Sequence, residues 1–291
     1  MDLSVIIVNY NTREMLRACL QTLPEAASGL QYETFVVDNA SRDGSAAMVA
    51  STFPHVHLIA NTHNAGFTRA NNQALRRATG RYLLLLNPDT ECHPGALTCL
   101  VRYLDTHPDV GAIGPQLRNS DGSLQHNGRL FPSPWRDFLA VTGLWRLHPT
   151  AFEQRIEFGR SDFDQEAEVD FVMGACLMVR REAMEKVGLL SEDFFMFYEE
   201  VEWCWRIKRA GFRVMYVPTA QVTHHHMGSV RQRVWAMSNR LLLSGLTYYR
   251  KTGTPLHPLA FLPTMLIGLV KNALVQVGAR VKRLLRRLRM R

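Results

Sequence analysis

Residues 82–86, Tyr-Leu-Leu-Leu-Leu, form a short apolar run without polar alternation, stopped by Asn87-Pro88-Asp89. A run of that length, bounded by a turn, reads as a strand buried on both faces, inside a sheet that helices cover on both sides. Asn87, Pro88 and Asp89 then stand at the carboxyl end of the strand, where open α/β sheets bind ligands. A carboxylate placed there can hold a divalent metal and, through it, a diphosphate. Asn-Pro-Asp is also ordinary turn chemistry, so its meaning depends on the rest of the chain.

The surrounding sequence alternates strand and helix patterns. LSVIIV (3–8), ETFVVD (33–38) and HLIA (57–60) read as strands, with helical patterns at 12–23, 43–52 and 65–79. A loop is expected at 24–30, beginning at Pro24. Asn64 is the candidate N-cap of the third helix and Gly80 its stop. A helix from about 94 to 107 and a short strand at 111–114 follow the Leu run. Strands alternating with helices of this length predict an α/β fold, a mostly parallel Rossmann-like sheet flanked by helices. Residues 115–165 carry turn signals and an acidic stretch, and predict loops and short elements. EVDFV (168–172) and ACLMV (175–179) are strand-like, and a helix is expected at 181–187. Residues 194–210 read as mostly helical and 212–217 as a strand, before Pro218 and QVTHHH. From 229 onward the pattern is helical, so the expected division is 1–228 and 229–291.

Charge separates these two parts. Residues 1–202 hold 17 Lys+Arg against 26 Asp+Glu, whereas 203–291 hold 17 Lys+Arg and no acid, within a chain of net charge +8. Such asymmetry points the C-terminal part at a polyanion, membrane or nucleic acid. PLAFLPTMLIGLV (258–270) is apolar but short of the ~20 residues of a full span, which favours an interfacial segment. Beyond it, Val277, Val281, Leu284, Leu285 and Leu288 recur at helical spacing among Arg280, Lys282, Arg283, Arg286, Arg287 and Arg289. That is the pattern of a basic amphipathic helix on anionic lipid. A nucleic-acid-binding protein is the competing class, but no aromatic-basic interleaving or zinc spacing supports it. The five cysteines form no CxxC pair, as expected of reduced thiols in a cytosolic protein. LSVIIV lacks the basic flank and the length of a signal peptide.

Polar groups recur at successive strand ends. Asn9 and Asn11 follow the first strand, Asp38 and Asn39 the second, and Asn87 and Asp89 the fourth; Asn64, Gly66, Phe67 and Asn71 open the helix after the third. In a parallel sheet these ends share one edge and therefore one cleft. An Asp there can read a base or ribose, and Gly66 permits close backbone approach. Neither GxGxxG nor GxxxxGK[ST] occurs, so a dinucleotide fold and a P-loop are not indicated. A nucleotidyltransferase would need a Gly-rich basic loop near the N-terminus, which VNYNTREM does not supply.

Taken in order, VIIVNYN (5–11), VVDNAS (36–41), NAGFTRANN (64–72), LLLLNPDT (83–90), VDFVMGACLMVRREAMEKVG (169–188), FFMFYEEVEWCWR (194–206) and VPTAQVTHHHMGS (217–229) resemble the family 2 glycosyltransferases, and more narrowly their bacterial rhamnosyltransferase-like branch. The resemblance implies a GT-A fold and inversion at the anomeric centre. It implies donor contacts from Asn9, Asn11, Asp38, Asn39, Asn64, Gly66, Phe67, Asn71, Asn87 and Asp89. Asp89 stands at the last position of a DxD-type motif that here keeps one carboxylate. It would bind Mg²⁺ or Mn²⁺, with His224 as the family's metal or diphosphate histidine; His225 and His226 blur that register. One imidazole among oxygen ligands favours tolerance of Mn²⁺.

Glu200 falls at the family's catalytic-base position, with Glu199, Glu202, Gly174 and Trp203 as acceptor-side candidates. Acids opening a helix also complement its dipole, and Trp203 and Trp205 also suit a core. The resemblance favours dTDP-L-rhamnose as donor, with UDP-sugars next. The acceptor it implies is a glycan or a polyprenyl-diphosphate-linked glycan in cell-surface polysaccharide assembly. The enzyme would be cytoplasmic, peripheral at the inner face of the plasma membrane.

Overall fold

The computed structural model describes residues 1–149, 162–225, 234–253 and 256–289, with side chains undescribed at 234–237 and 277–289. Four parallel strands form its first half: β1 (Leu3–Asn9), β2 (Tyr32–Asp38), β3 (His57–Ala60) and β4 (Tyr82–Leu86). Their spatial order is β3-β2-β1-β4. The chain therefore winds outward from β1 to β3 and returns to the other side of β1. That reversal is a topological switch point, and the crevice it opens lies at the carboxyl ends of β1 and β4.

Helices α1 (Arg13–Ala26), α2 (Ser45–Thr52) and α3 (Phe67–Leu75) make the crossovers. α1 buries Leu16, Cys19, Leu20, Leu23 and Ala26, the i, i+3, i+4, i+7 stripe of a half-buried helix. Every residue of β1 and β4 is buried. Val5, Ile7, Leu84 and Leu86 face one apolar layer with α1, whereas Ile6, Val8, Leu83 and Leu85 face the other with α3. This is the two-sided burial that a continuous apolar run implies.

Several expected boundaries move. α1 runs through Pro24, which stands in its last turn, where only one N–H···O bond is forfeited. Asn64 does not cap α3: Gly66 does, at φ 86°, and the Asn64 Oδ1 instead accepts the Gly66 N–H at 2.9 Å. α3 ends at Leu75, well before Gly80. Gly80 is needed elsewhere, since a Cβ there would lie 2.5 Å from the Ser4 backbone nitrogen.

The second half departs further from a parallel sheet. After β5 (Thr90–Cys92) and α4 (Ala96–Thr106), β6 (Val110–Arg118) is twice the expected length. β7 (Leu124–Gln125), α5 (Pro134–Thr142) and β8 (Ala167–Glu168) follow. The EVDFV strand reduces to β8 and one bridge from Phe171 to Arg129. β9 (Cys176–Arg180) inserts between β4 and β6, antiparallel to both. It starts at the crevice and runs away from it, so its leading residues, Met173–Ala175, join the crevice wall.

α6 (Arg181–Val187) matches its expected span. α7 (Glu199–Arg209) starts later than its pattern, behind a loop at 194–198. β10 (Arg213–His224) continues past Pro218 because a register shift between Val217 and Gln221 absorbs the proline. The shift lets its last residues pair antiparallel with β5, with His224 opposite Thr90.

α8 (Val234–Thr252) and α9 (Leu256–Arg289) complete the described chain. They do not form a detached extension. Leu242, Tyr248, Tyr249 and Phe261 are buried in the same apolar layer as Ile6 and Trp203. The apolar stretch is also longer than its sequence reading: Leu256–Gln276, 21 residues of mean hydropathy 1.6, is long and apolar enough to cross a membrane, and only 17% of its most apolar window is buried. Its inner face is occupied by Phe261, Thr264 and the Gly268 contact with Leu242. Leu259, Leu262, Leu266, Val270 and Leu274 form an exposed stripe on the other.

Candidate active site

A cavity of about 550 Å³ opens at the switch point. Val8, Tyr10 and Thr12 from the β1 end, Asn39 from β2, Asn64 and Phe67 from the α3 entrance, and Asn87 and Asp89 from β4 line one side. Gly174, Phe195–Phe197, Glu199, Glu200, His224 and Arg240 line the other. The volume suits a small-molecule ligand site.

The wall at β1 and β2 is a closed hydrogen-bond network. The Asn9 amide donates to Asp38 Oδ1 at 2.8 Å and to Ser41 Oγ at 3.1 Å, while its own Oδ1 accepts the Thr12 hydroxyl at 2.6 Å. The Ser41 N–H donates to Asp38 Oδ2 at 2.9 Å. Asn39 donates to the Gly66 carbonyl and accepts from the Asn61 amide. Asn11 takes a left-handed φ of 55° and its Oδ1 accepts the Arg42 N–H at 2.7 Å. Asn71 donates to the Phe67 carbonyl one helical turn back.

Asn39, Asn64 and Phe67 therefore reach the cavity, while Asn9, Asn11, Asp38, Gly66 and Asn71 stand behind the lining and shape it. Gly66 does permit a close approach, but its neighbour is protein. A Cβ there would lie 2.8 Å from the Phe195 carbonyl oxygen, which itself accepts the Phe67 N–H at 2.8 Å.

At the β4 end, Asp89 is 9% exposed, and His224 Nε2 lies 3.4 Å from its Oδ1. Asn87 Nδ2 lies 3.4 Å from the same ring nitrogen. The Nδ1–H of His224 donates to Gln125 Oε1 at 2.7 Å. This bond orients the ring so that Nε2 turns toward Asn87 and Asp89. A carboxylate oxygen and an imidazole nitrogen this close are a donor pair that can hold a cation. The donor set of one oxygen and one nitrogen ligand fits Mg²⁺ or Mn²⁺ if ligand oxygens complete the shell. Among the described residues no group of three or more His, Cys, Asp or Glu could hold a metal, so the protein supplies a partial site. His225 turns away to Glu91 and Ser120, which resolves the histidine register for two of the three; His226 lies outside the described residues.

Opposite stand Glu199 and Glu200, at the start of α7. Each has one buried carboxylate oxygen, Oε2, with no hydrogen-bond partner, a costly state that marks a group kept for a ligand. Burial raises both above the usual carboxylate range, and the neighbouring Glu200 charge raises Glu199 further. The N–H groups of Gly174 and Val201 and the charge of Arg129 pull Glu200 back toward ionisation. Most of the groups that oppose this rise act on Glu200.

The acids are held from behind. Phe197 and Tyr198 both take left-handed backbone, φ 73° and 68°, a conformation that bulky residues keep only under tertiary constraint. α8 supplies the constraint. Ser244 Oγ donates to the Met196 carbonyl at 2.9 Å, and the Tyr198 and Tyr249 hydroxyls donate to Asp137 Oδ2 at 3.5 and 2.6 Å. Burial lifts Asp137 to about 6.

Two acceptor-side candidates, Trp203 and Glu202, lie outside the cavity lining. Trp203 is fully buried and its indole N–H donates to the Gly188 carbonyl. Glu202 is bound by Arg206 at 2.9 Å. Glu199 and Glu200 stand at the start of α7, where it meets the cavity, whereas Glu202 and Trp203, three and four residues on from Glu199, lie about one turn further along the helix and pack into the core. Sequence reasoning passed over Gln125 and Arg240, which belong to no quoted motif. It also left Tyr10, Thr12 and Phe195–Phe197 unassigned, although all lie in or beside quoted motifs.

Comparison with known proteins agrees with this geometry. The sequence profile of Glycosyl transferase family 2 matches residues 4–188. N-acetylglucosaminyl-diphospho-decaprenol L-rhamnosyltransferase of Mycobacterium tuberculosis is 31% identical over 239 residues, 77% of this chain and 76% of that protein. The low-salt glycan biosynthesis hexosyltransferase Agl10 of Haloferax volcanii is 28% identical over 228 residues, 77% of this chain and 67% of its own. The mannosyltransferase of Pyrobaculum calidifontis, solved with GDP-Man and Mn²⁺, superposes with a TM-score of 0.58 at 20% identity, over 96% of this chain and 79% of that one. The fold is accordingly that of the GT-A glycosyltransferases, and the chain belongs to glycosyltransferase family 2.

Proposed function

We propose that this family 2 glycosyltransferase moves L-rhamnose from dTDP-L-rhamnose to a hydroxyl of a polyprenyl-diphosphate-linked glycan, inverting the anomeric centre. The observation that carries the mechanism is the opposition, across one cavity, of the Asp89–His224 pair and the Glu200 carboxylate, whose buried Oε2 has no partner. The donor and acceptor classes rest on the 31% identity to the mycobacterial enzyme.

In this reading the nucleoside lies against the wall formed by Val8, Tyr10, Thr12 and Asn39, which the Asn9–Asp38 network holds rigid. Asp89 and His224 are the residues that would hold Mg²⁺ or Mn²⁺ together with the donor diphosphate. Such an ion supplies Lewis-acid compensation of the leaving-group charge. Glu200 accepts the proton of the acceptor hydroxyl as that oxygen bonds to the anomeric carbon and the nucleotide diphosphate departs from the opposite face. Attack from the face opposite the leaving group gives inversion in one step.

The enzyme works in the cytoplasm at the inner face of the plasma membrane. The exposed Leu259–Leu274 stripe of α9 and the basic sequence from Arg280 onward face anionic lipid. A UDP-sugar is the second donor class. A donor panel, assayed for nucleotide diphosphate release with Mg²⁺, Mn²⁺ or chelator, tests the reading. Release from dTDP-L-rhamnose, dependent on acceptor and metal, is expected. Preference for a UDP-sugar would replace the donor, and undiminished release in excess chelator would remove the metal.

A further inference from the structure

Arg240 is the only Lys or Arg among the described residues that line the cavity. It comes from α8, outside every motif shared with the family. Its guanidinium lies over the Phe195 ring, 3.8 Å from the centroid. The contact fixes the plane of the group while leaving its N–H edges for another partner. Arg240 is exposed, and no hydrogen bond or ion pair to a described residue occupies those edges. The acidic residues of the lining are Asp89, Glu199 and Glu200. A fork of donors held at the rim of an acidic cavity suits a phosphate or diphosphate.

Two anions meet in the proposed reaction, the donor diphosphate and the acceptor diphosphate, and position separates them. The donor diphosphate belongs beside Asp89 and His224. Arg240 lies instead on the apolar side of the rim. Leu243, three residues on along the same helix face, is 56% exposed, and Leu241 is 46% exposed. Asn239, next to Arg240, accepts the Asn272 amide of α9 at 2.7 Å. Arg240 therefore sits level with the stretch of α9 that exposes Ile267, Val270 and Leu274. From cavity to outside the order is carboxylate base, guanidinium, apolar surface. A lipid-linked glycan has the same order: sugar hydroxyl, diphosphate, prenyl chain.

We infer that Arg240 binds the diphosphate of the lipid-linked acceptor and so selects acceptors that carry one. The inference rests on the acceptor class proposed above, and it makes α8 part of the substrate site.

The test is direct binding of farnesyl diphosphate, farnesol and dTDP to the full chain and to Arg240→Ala and Arg240→Lys. Thermal unfolding checks that the variants fold, which the exposure of Arg240 favours. Wild type should bind farnesyl diphosphate at least ~10-fold more tightly than farnesol, as expected of a charge-assisted contact. Arg240→Ala should lose that preference, Arg240→Lys should keep part of it, and both should retain dTDP affinity. Equal farnesyl diphosphate affinity in wild type and Arg240→Ala would overturn the inference. So would a loss confined to dTDP, which would assign Arg240 to the donor. Binding is read without turnover, so a failure of the rhamnosyl reading would appear separately, as no transfer from dTDP-L-rhamnose by the wild type.

Discussion

The two carboxylate sites flanking the cavity are built in opposite ways. Asp38 is buried at the end of β2 with both oxygens occupied, by the Asn9 amide and the Ser41 N–H. At the start of α7 stand Glu199, buried, and Glu200, half-buried, each with a buried oxygen that no group satisfies. A satisfied buried network rigidifies its surroundings, whereas an unsatisfied buried acid costs stability and is available for chemistry. Asp38 therefore holds a wall in place, and the Glu pair is where a proton moves. Left-handed backbone occurs on both sides, at Asn11 and Ala40 after β1 and β2 and at Phe197 and Tyr198 before the Glu pair, and on the second side α8 clamps the loop that carries it.

The largest effect should come from the unsatisfied side. Glu200→Gln keeps the shape and removes the proton acceptor, so turnover should fall by roughly 10²–10⁴-fold with donor affinity retained. Glu202→Gln loosens the Arg206 contact and should lower thermal stability while retaining most turnover. A larger turnover loss in Glu202→Gln would reverse the assignment. Next comes Asp89→Ala, which removes half of the partial metal site and should lower turnover on the order of 10³-fold. Donor and metal titrations should show the loss, with circular dichroism unchanged; full turnover by this variant would remove Asp89 from the mechanism.

On the satisfied side the expected effect is structural. Asn9→Ala takes one donor from buried Asp38 and should cost about 1–3 kcal/mol of stability. Denaturant unfolding reads this directly, and an unchanged midpoint would mean that the network is not what holds the wall. The smallest catalytic effect should follow deletion of residues 275–291, which contribute nothing described to the cavity. Vesicle sedimentation should show loss of binding to anionic lipid, each basic residue being worth ~1 kcal/mol near such a surface. Turnover of a short water-soluble acceptor should persist. Equal binding of the intact protein to neutral and anionic vesicles would refute the electrostatic attachment.

Legibility in the sequence divides along the same line. β1 and β4 were readable because they are continuous apolar runs, and the strand-end polar residues followed from their order. The crevice between them needed only the alternation of strands and helices. The direction of β9 was not readable, because an apolar run carries no sign of whether its neighbours are parallel. Pro24 and Asn64 misled as boundary markers: tertiary packing carries α1 past the proline, and Gly66 takes the cap position. Within YEEVE, the family resemblance singled out Glu200 and left Glu199 and Glu202 as acceptor-side candidates. Position along α7 separates them: Glu199 and Glu200 stand at its start, at the cavity, while Glu202 lies about a turn further along and is bound by Arg206, and that start is set by the loop that α8 clamps. Arg240 and Gln125 were silent because each acts through a contact with a residue distant in sequence.

The most direct test of the claim that Glu200 is the base is the pH dependence of kcat/KM in wild type, Glu199→Gln and Glu200→Gln. Burial raises the Glu200 carboxyl above the ordinary range. Below its pKa the carboxyl is protonated and has no site for the acceptor proton, so activity falls as pH falls through that value. Wild type should show an acidic limb centred above the usual glutamate range. Glu199→Gln should keep the limb, and Glu200→Gln should lose it. A limb that survives in Glu200→Gln and disappears in Glu199→Gln would contradict the assignment and move the base by one residue.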